Sequence, residues 1–208
     1  AVLAEAKVVL LAVKPQIWRE AAVELAPQLG ADCVIVSIAA GVRVSDLSAA
    51  FGGHPVARIM PTTAVAIAKG VASIYSPDSA ALAVAHRLFD PVATTVEVAD
   101  EALMDAAVGL SGSAPAYLYA FIEALEAAGP KQGLSREASQ RLARATLIGA
   151  AALLDASQAE PSELRRQVTS PGGTTEAALK VLMGEGGLTE LMDRAVAAAV
   201  ARSKELSR

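Results

Sequence analysis

The segment VVLLAVKP, Val8 to Pro15, is a short apolar run that stops at a lysine and a proline. An uninterrupted apolar run is typical of a strand buried on both faces of a parallel sheet, because such a strand has no solvent-facing side. The residues that follow, from Gln16 to Leu29, have the periodicity of an amphipathic helix. The beginning of the chain therefore predicts a strand followed by a helix.

The same alternation of strand and helix patterns continues to about residue 100. It indicates a sheet of parallel strands with helices on its faces, whereas the remainder of the chain has helical patterns only. We therefore predict an α/β Rossmann-like domain over residues 1–99 and an all-helical domain over residues 100–208. The predicted strands are 8–13, 34–38, 56–60, 70–75 and 94–98, and the helices of this domain are 16–29, 45–50 and 78–89.

Three of the predicted strands end in turns where a flat ligand could rest on the backbone. These turns are Val13-Lys14-Pro15, Ala39-Ala40-Gly41 and Met60-Pro61-Thr62. Ligands of such sheets lie over the carboxyl ends of the strands, although each turn taken singly is also consistent with an ordinary strand end. The G-x-G-x-x-G segment that normally opens a dinucleotide-binding fold is missing from the sequence, so we expect the Rossmann-like domain to be incomplete at its N-terminus.

The segment VTSPGGTTEAALKVL, Val168 to Leu182, joins a loop of small residues to an amphipathic helix. Two glycines allow close approach of the backbone to a ligand, and the first amides of the helix have no intrahelical partner. This arrangement can bind a carboxylate or a phosphate without a lysine or an arginine. A plain helix start after a Pro-Gly turn would give the same pattern, and the spacing alone does not distinguish the two.

Composition excludes several classes of function. The net charge is -4 and the sequence has no basic run, which argues against nucleic acid or an anionic membrane as a partner. No apolar run reaches the length of a membrane span. The two histidines, His54 and His86, are far apart and Cys33 is the only cysteine, so we predict no metal site and no internal disulfide. We expect a protein of the reducing cytoplasm.

Five further segments form, with the loop and helix of Val168 to Leu182, an ordered series of motifs. They are Leu11 to Gln16, Ser37 to Val42, Arg58 to Thr63, Gly109 to Tyr117 and Gly133 to Glu137. Taken in order, these motifs resemble the pyrroline-5-carboxylate reductase family, and the segment Val168 to Leu182 is the most specific of them. The resemblance implies reduction of the cyclic imine 1-pyrroline-5-carboxylate to L-proline, the last step of proline biosynthesis, with NADPH or NADH as cofactor.

The resemblance also implies roles for individual residues. Thr175 matches the threonine whose hydroxyl contacts the ring nitrogen, and Glu101 matches an acidic residue near the substrate pocket, although it equally suits the first turn of a helix. The expected substrate-binding residues are Glu101, Val168, Thr169, Ser170, Gly172, Gly173, Thr174 and Thr175. The expected cofactor-binding residues are Val13, Lys14, Pro15, Ala39, Ala40, Gly41, Met60, Pro61, Thr62 and Gln167. Thr62 departs from the family, which usually has asparagine there.

The family pairs its helical domains in an interleaved homodimer, often within larger rings such as a decamer. The predicted last helix is consistent with such pairing, because its apolar stripe from Leu188 to Val200 is continuous. The resemblance therefore predicts a homodimer formed through the helical domain.

Two other interpretations of the sequence remain. A related two-domain hydroxy-acid dehydrogenase would be expected to carry a catalytic lysine in the helical domain, where Lys131 and Lys180 are candidates. A non-catalytic dimerisation module would explain the missing glycine-rich segment. Retention of the strand-end turns and of the threonine-rich loop argues against such a module.

Overall fold

The structure, a computed structural model, describes residues 3–206. Its sheet has the strand order β1-β2-β3-β4-β5, so neighbours in the chain are also neighbours in the sheet. The strands are Val8–Leu11 (β1), Val34–Ser37 (β2), Val56–Pro61 (β3), Gly70–Tyr75 (β4) and Ala93–Glu97 (β5). The five predicted strands are confirmed, with ends that shift by one or two residues.

The sheet is not parallel throughout. β1, β2 and β3 pair in parallel, as do β4 and β5, but β3 and β4 pair in antiparallel fashion. The prediction of a wholly parallel sheet is therefore wrong for one strand pair. The reason is the short connection from Thr62 to Lys69, a 3₁₀ turn over Thr63–Ile67, which is too short for the crossover that parallel neighbours require.

Helices cover both faces of this sheet. Trp18 and Leu47 pack with Ile35 on one face, and Ala85 and Phe89 pack with other sheet residues on the opposite face. The helix predicted over residues 16–29 is shorter, because a 3₁₀ turn containing Pro27 follows it. These helices are Trp18–Leu25 (α1), Val44–Ala50 (α2) and Ser79–Phe89 (α3).

From Asp100 onward the described chain is helical. Asp100 accepts a hydrogen bond from the Ala102 amide and Ser135 accepts one from the Ala138 amide, so both residues cap the helical segments that follow them. Before Pro115 the chain forms a π-helical turn over Val108–Gly112. The helices are Met104–Ala107 (α4), Ala114–Lys131 (α5), Arg136–Ala156 (α6), Pro161–Gln167 (α7), Thr174–Leu182 (α8) and Leu188–Leu206 (α9).

The chain forms two compact units. The first runs from the start of the described chain to Ser113 and includes the described residues from Val196 onward, and the second is Ala114–Ala195. The sheet unit has two clusters of buried apolar residues. In the second unit only Ile122, Ser139 and Ala143 are buried, and many large apolar side chains are exposed. Within residues 3–206, none of the helices combines the length and apolar character that crossing a membrane requires.

Candidate functional site

The three predicted cofactor turns follow adjacent parallel strands. Residues 13–15 come after β1, residues 39–41 after β2 and residues 60–62 at the end of β3. Because parallel strands end at the same edge of a sheet, the fold brings these turns to one edge of the first unit. The antiparallel strand β4 does not disturb this arrangement, since it follows the third turn.

The second and third turns are held by hydrogen bonds that backbone amides donate to side chains at or just after the ends of their strands. The hydroxyl of Ser37, which is fully buried, accepts from the Ala39 amide at 3.2 Å. Thr62 is also buried, and its hydroxyl accepts from the Val71 amide at 3.0 Å. The Thr62 amide donates in turn to the Val71 carbonyl at 2.8 Å. The Thr62 side chain therefore fixes the turn into β4.

Lys14 and Pro15 are exposed, whereas Ala39 is buried. The backbone of the first turn is closed by the Ile17 amide, which donates to the Lys14 carbonyl at 3.1 Å. This leaves the Lys14 side chain at the surface, where its charge can reach an anionic group of a ligand.

In the second unit, the predicted anion loop connects α7 to α8. Thr169 is tied to the end of α7, because its hydroxyl donates to the Arg165 carbonyl at 2.6 Å. Gly172 has a φ of 71°, in the region that favours glycine. The Gly173 amide then donates to the Ser170 carbonyl at 3.0 Å and closes the turn.

The backbone amides of this loop differ in whether they already have a hydrogen-bond acceptor. The Gly172 amide donates to the Glu176 carboxylate at 2.8 Å. The first hydrogen bond of α8 is made by the Ala177 amide to the Gly173 carbonyl at 3.2 Å. The amides of Thr174 and Thr175 precede that bond, so they have no acceptor within the helix. The loop thus directs two amides of a helix N-terminus outward, which favours an anion.

Three predicted side chains remain to be placed, those of Thr175, Gln167 and Glu101. Thr175 is half-buried in the first turn of α8. Gln167 is exposed at the end of α7, and its side-chain amide donates to Glu163 at 3.0 Å. Glu101 belongs to the first unit, where its carboxylate accepts from the Val44 amide at 2.8 Å and lies 3.2 Å from a guanidinium nitrogen of Arg58. Its contacts in the structure are therefore with the fold of that unit.

No group of three histidine, cysteine, aspartate or glutamate side chains capable of holding a metal ion occurs among residues 3–206. The thiol of Cys33 is fully buried, and its burial raises its pKa. A raised pKa disfavours the thiolate, so Cys33 is not an activated nucleophile.

Comparison with known proteins relates this architecture to one family. Residues 101–206 match the family model described as pyrroline-5-carboxylate reductase dimerisation. The pyrroline-5-carboxylate reductase of Pseudomonas aeruginosa is 42% identical over 98% of the chain. The chain belongs to the pyrroline-5-carboxylate reductase family. The family resemblance seen in the sequence is thereby confirmed, and so is the predicted fold class.

Solved structures of this family have the same fold. A pyrroline-5-carboxylate reductase from Coxiella burnetii superposes with a TM-score of 0.92 at 35% identity, covering 99% of this chain and 77% of that one. The pyrroline carboxylate reductase of Plasmodium falciparum, solved with NADP bound, gives a TM-score of 0.84 at 28% identity, covering 99% of this chain and 79% of that one. The chain spans 76% of the Pseudomonas enzyme.

Three polar residues around these sites were not predicted from the sequence. Ser37 is a buried strand residue whose contact is local, with the Ala39 amide two residues further on. Arg58 is a buried strand residue whose partner Glu101 is distant in the chain, so no local pattern indicates that pair. Glu176 is different, because an acidic residue at the third position of a helix commonly bonds back to the preceding loop. That spacing was available in the sequence as a signal.

Proposed function

We propose that this protein reduces 1-pyrroline-5-carboxylate to L-proline with a hydride from NADPH or NADH. The observation that carries the proposal is the loop before α8, which has unpaired amides and a half-buried threonine, in a chain 42% identical to a pyrroline-5-carboxylate reductase. The substrate is small and has one carboxylate, which is the kind of anion that such a helix start binds.

The substrate site of the proposal is the loop of Val168, Thr169, Ser170, Gly172, Gly173, Thr174 and Thr175. The amides of Thr174 and Thr175 would hold the carboxylate, and the turn closed between Gly173 and Ser170 would set their direction. The carboxylate then fixes the position of the ring. A fixed ring lowers the entropic cost of reaching the reactive geometry.

Thr175 is the proposed catalytic residue. Its hydroxyl can donate a hydrogen bond to the ring nitrogen or accept one from the protonated iminium. A hydroxyl is a poor general acid at neutral pH, so the proton on nitrogen comes from solvent or is already present on the iminium. Thr175 therefore orients the C=N bond, the hydride adds to its carbon, and the product is the secondary amine of proline.

The cofactor site of the proposal is the sheet edge formed by residues 13–15, 39–41 and 60–62. Its fit to a dinucleotide rests on small residues at adjacent strand ends and on the exposed cation of Lys14. Gln167 is a further proposed cofactor contact, which rests on the family resemblance alone. When bound, the nicotinamide supplies the hydride. The hydroxyl of Thr62 is engaged with Val71, so we assign to Thr62 backbone and packing contacts with the cofactor rather than an amide-like contact.

The helical segment is the proposed dimer interface. The family model that matches residues 101–206 is one for dimerisation, which also supports the functional division near residue 100 predicted from the sequence. The second unit has few buried residues of its own and exposes Leu118, Leu142, Ile148 and Leu191. Burying such side chains against a second subunit would supply the apolar core that this unit lacks.

Assembly beyond the dimer and location in the cell are further parts of the proposal. We infer a larger ring such as a decamer from the family resemblance of the sequence. A cytoplasmic location is supported by Cys33, the single cysteine of the chain, which leaves the fold independent of disulfides.

Neither alternative interpretation is favoured by an observation. Lys180, one candidate lysine for a hydroxy-acid dehydrogenase, is exposed and lies 3.8 Å from Glu176 on its own helix. The chain keeps both the strand-end turns and the anion loop, which a module for dimerisation alone would not need.

The test is oxidation of NADPH on addition of 1-pyrroline-5-carboxylate, measured with the product of the whole gene and with residues 1–208 alone. We expect activity in the whole product and a loss of about a hundredfold in Thr175→Ala, because the ring nitrogen would no longer be oriented. The matched control is Thr189→Ala, which removes an exposed threonine at the start of another helix and should leave the rate unchanged. Full activity of Thr175→Ala would remove this residue from its role.

A further inference from the structure

A buried ion pair in the first unit joins three segments that are distant in sequence. One carboxylate oxygen of Glu101 accepts from the Val44 amide at 2.8 Å and lies 3.2 Å from Nη1 of Arg58. The Arg58 side chain is 4% exposed and that of Glu101 is 21% exposed. The guanidinium is therefore shielded from water, whereas the carboxylate is partly exposed.

Among residues 3–206, the guanidinium of Arg58 pairs with this one carboxylate. Its Nε is buried and has no hydrogen-bond partner among residues 3–206. An arginine removed from water is stabilised by its paired carboxylate, and loss of that partner leaves an unpaired buried charge. Buried ion pairs contribute little to stability compared with apolar packing, so the pair is better explained by the geometry it imposes than by the stability it adds.

The ion pair lies close in sequence to two of the cofactor turns, those at residues 39–41 and 60–62. Val44 is the first residue of α2 and follows Gly41 closely, and Arg58 lies on β3 just before Met60. Arg58 is also the register partner of Ser37, which holds the turn at Ala39. A single carboxylate oxygen thus fixes the start of α2 against β3, and with them the spacing of the turns at residues 39–41 and 60–62.

We propose that Arg58 and Glu101 are positioning residues for the cofactor site, and that Glu101 acts through this pair rather than by contact with the substrate. The proposal rests on the proposed function, because it assigns the two turns to the cofactor. Its consequence is specific: weakening the pair should lower affinity for the cofactor and leave recognition of the substrate carboxylate, which belongs to another loop, unchanged.

The experiment measures NADPH binding by calorimetry, without substrate, in the whole gene product and its variants. Glu101→Gln keeps an acceptor for the Val44 amide but removes the charge, and Arg58→Lys keeps the charge but removes the planar fork. Arg58→Met removes the guanidinium, and Glu101→Gln/Arg58→Met removes both charges. The control is Arg144→Gln, which breaks the exposed pair of Arg144 with Glu126 in the second unit.

We expect the dissociation constant for NADPH to rise about tenfold in Glu101→Gln, since small displacements of binding groups have large effects. Arg58→Lys should recover part of the affinity lost in Arg58→Met. The double variant should lose no more than the worse single variant, because the residues act as one unit. The KM for 1-pyrroline-5-carboxylate should not change. Amide hydrogen exchange in the segment 39–47 should quicken in Glu101→Gln but not in Arg144→Gln.

Unchanged NADPH affinity in folded Glu101→Gln and Arg58→Met would overturn the proposal, as would a rise in the substrate KM alone. A protein that binds NADPH with this pattern of variants but does not reduce 1-pyrroline-5-carboxylate would contradict the proposed function while supporting the positioning role. The two claims therefore fail separately.

Discussion

The substitution Gly173→Ala tests whether substrate binding by the anion loop depends on the turn that the Gly173 amide closes. Gly173 has φ -81° and ψ 170°, a conformation that alanine adopts without strain. A Cβ atom there would lie 2.8 Å from the Ser170 hydroxyl and 3.0 Å from the Ser170 carbonyl oxygen. The hydroxyl can rotate away, but the carbonyl is the acceptor for the Gly173 amide. The carbonyl must therefore shift by a few tenths of an ångström, which weakens this hydrogen bond.

The expected magnitude follows from that one hydrogen bond. Losing it altogether costs about 1 kcal/mol, so the KM for 1-pyrroline-5-carboxylate should rise by up to about fivefold if the loss falls on substrate binding. The assay is the initial rate of NADPH oxidation over a range of substrate concentrations. The KM for NADPH should stay the same, because the cofactor turns belong to other parts of the chain.

A matched control separates the local effect from general loss of stability. Gly133 has a φ of 90° in the turn between α5 and α6, and nothing lies within 4 Å of a Cβ placed there. Gly133→Ala should cost about 1–2 kcal/mol of stability through backbone strain alone, without a change in the substrate KM. If Gly173→Ala keeps the substrate KM of the unaltered protein, the loop is not the carboxylate site.

Two further predictions concern stability and assembly. The imidazole of His86 forms hydrogen bonds with the carboxylates of Asp90 and Glu97. These bonds raise the pKa of His86, and the bond to Asp90 has the larger effect. Because the folded pKa lies above the unfolded one, the stabilisation is complete below about pH 6.5 and is lost as the pH rises through the folded value. Thermal unfolding of His86→Gln should lack this decline, and an identical pH profile would refute the bridge. Leu191 is an apolar side chain of α9 that is 51% exposed. Its replacement by a charged residue in Leu191→Glu should give monomer or insoluble protein. An unchanged dimer in light scattering would exclude this face of α9 from the interface.

Local sequence patterns were sufficient to predict most elements of the fold. Apolar runs identified the strands, and helical periodicity identified the helices of the first domain. The direction of β4 was not predictable in this way, since alternation of strand and helix does not encode orientation. The short connection after Thr62 was the available signal for an antiparallel pair.

The candidate site was only partly accessible to sequence reasoning. In the loop from Val168 to Thr175 the glycines and threonines that favour an anion are contiguous in sequence, so a local pattern was enough to indicate an anion site. The pairing of Arg58 with Glu101 is set by the packing of distant segments, and no periodicity predicts it. The hydrogen bond of the Thr62 hydroxyl to Val71 likewise depends on how β3 turns into β4.

The most direct test of the central claim compares two substrates of the whole gene product, 1-pyrroline-5-carboxylate and 1-pyrroline, which lacks the carboxylate. If the loop before α8 binds the carboxylate, kcat/KM for the first should exceed that for the second by about a hundredfold or more, because the amides of Thr174 and Thr175 would be left unpaired by the second. In Gly173→Ala this ratio should shrink. Equal efficiency with the two rings, or no oxidation of NADPH with either, would contradict the account.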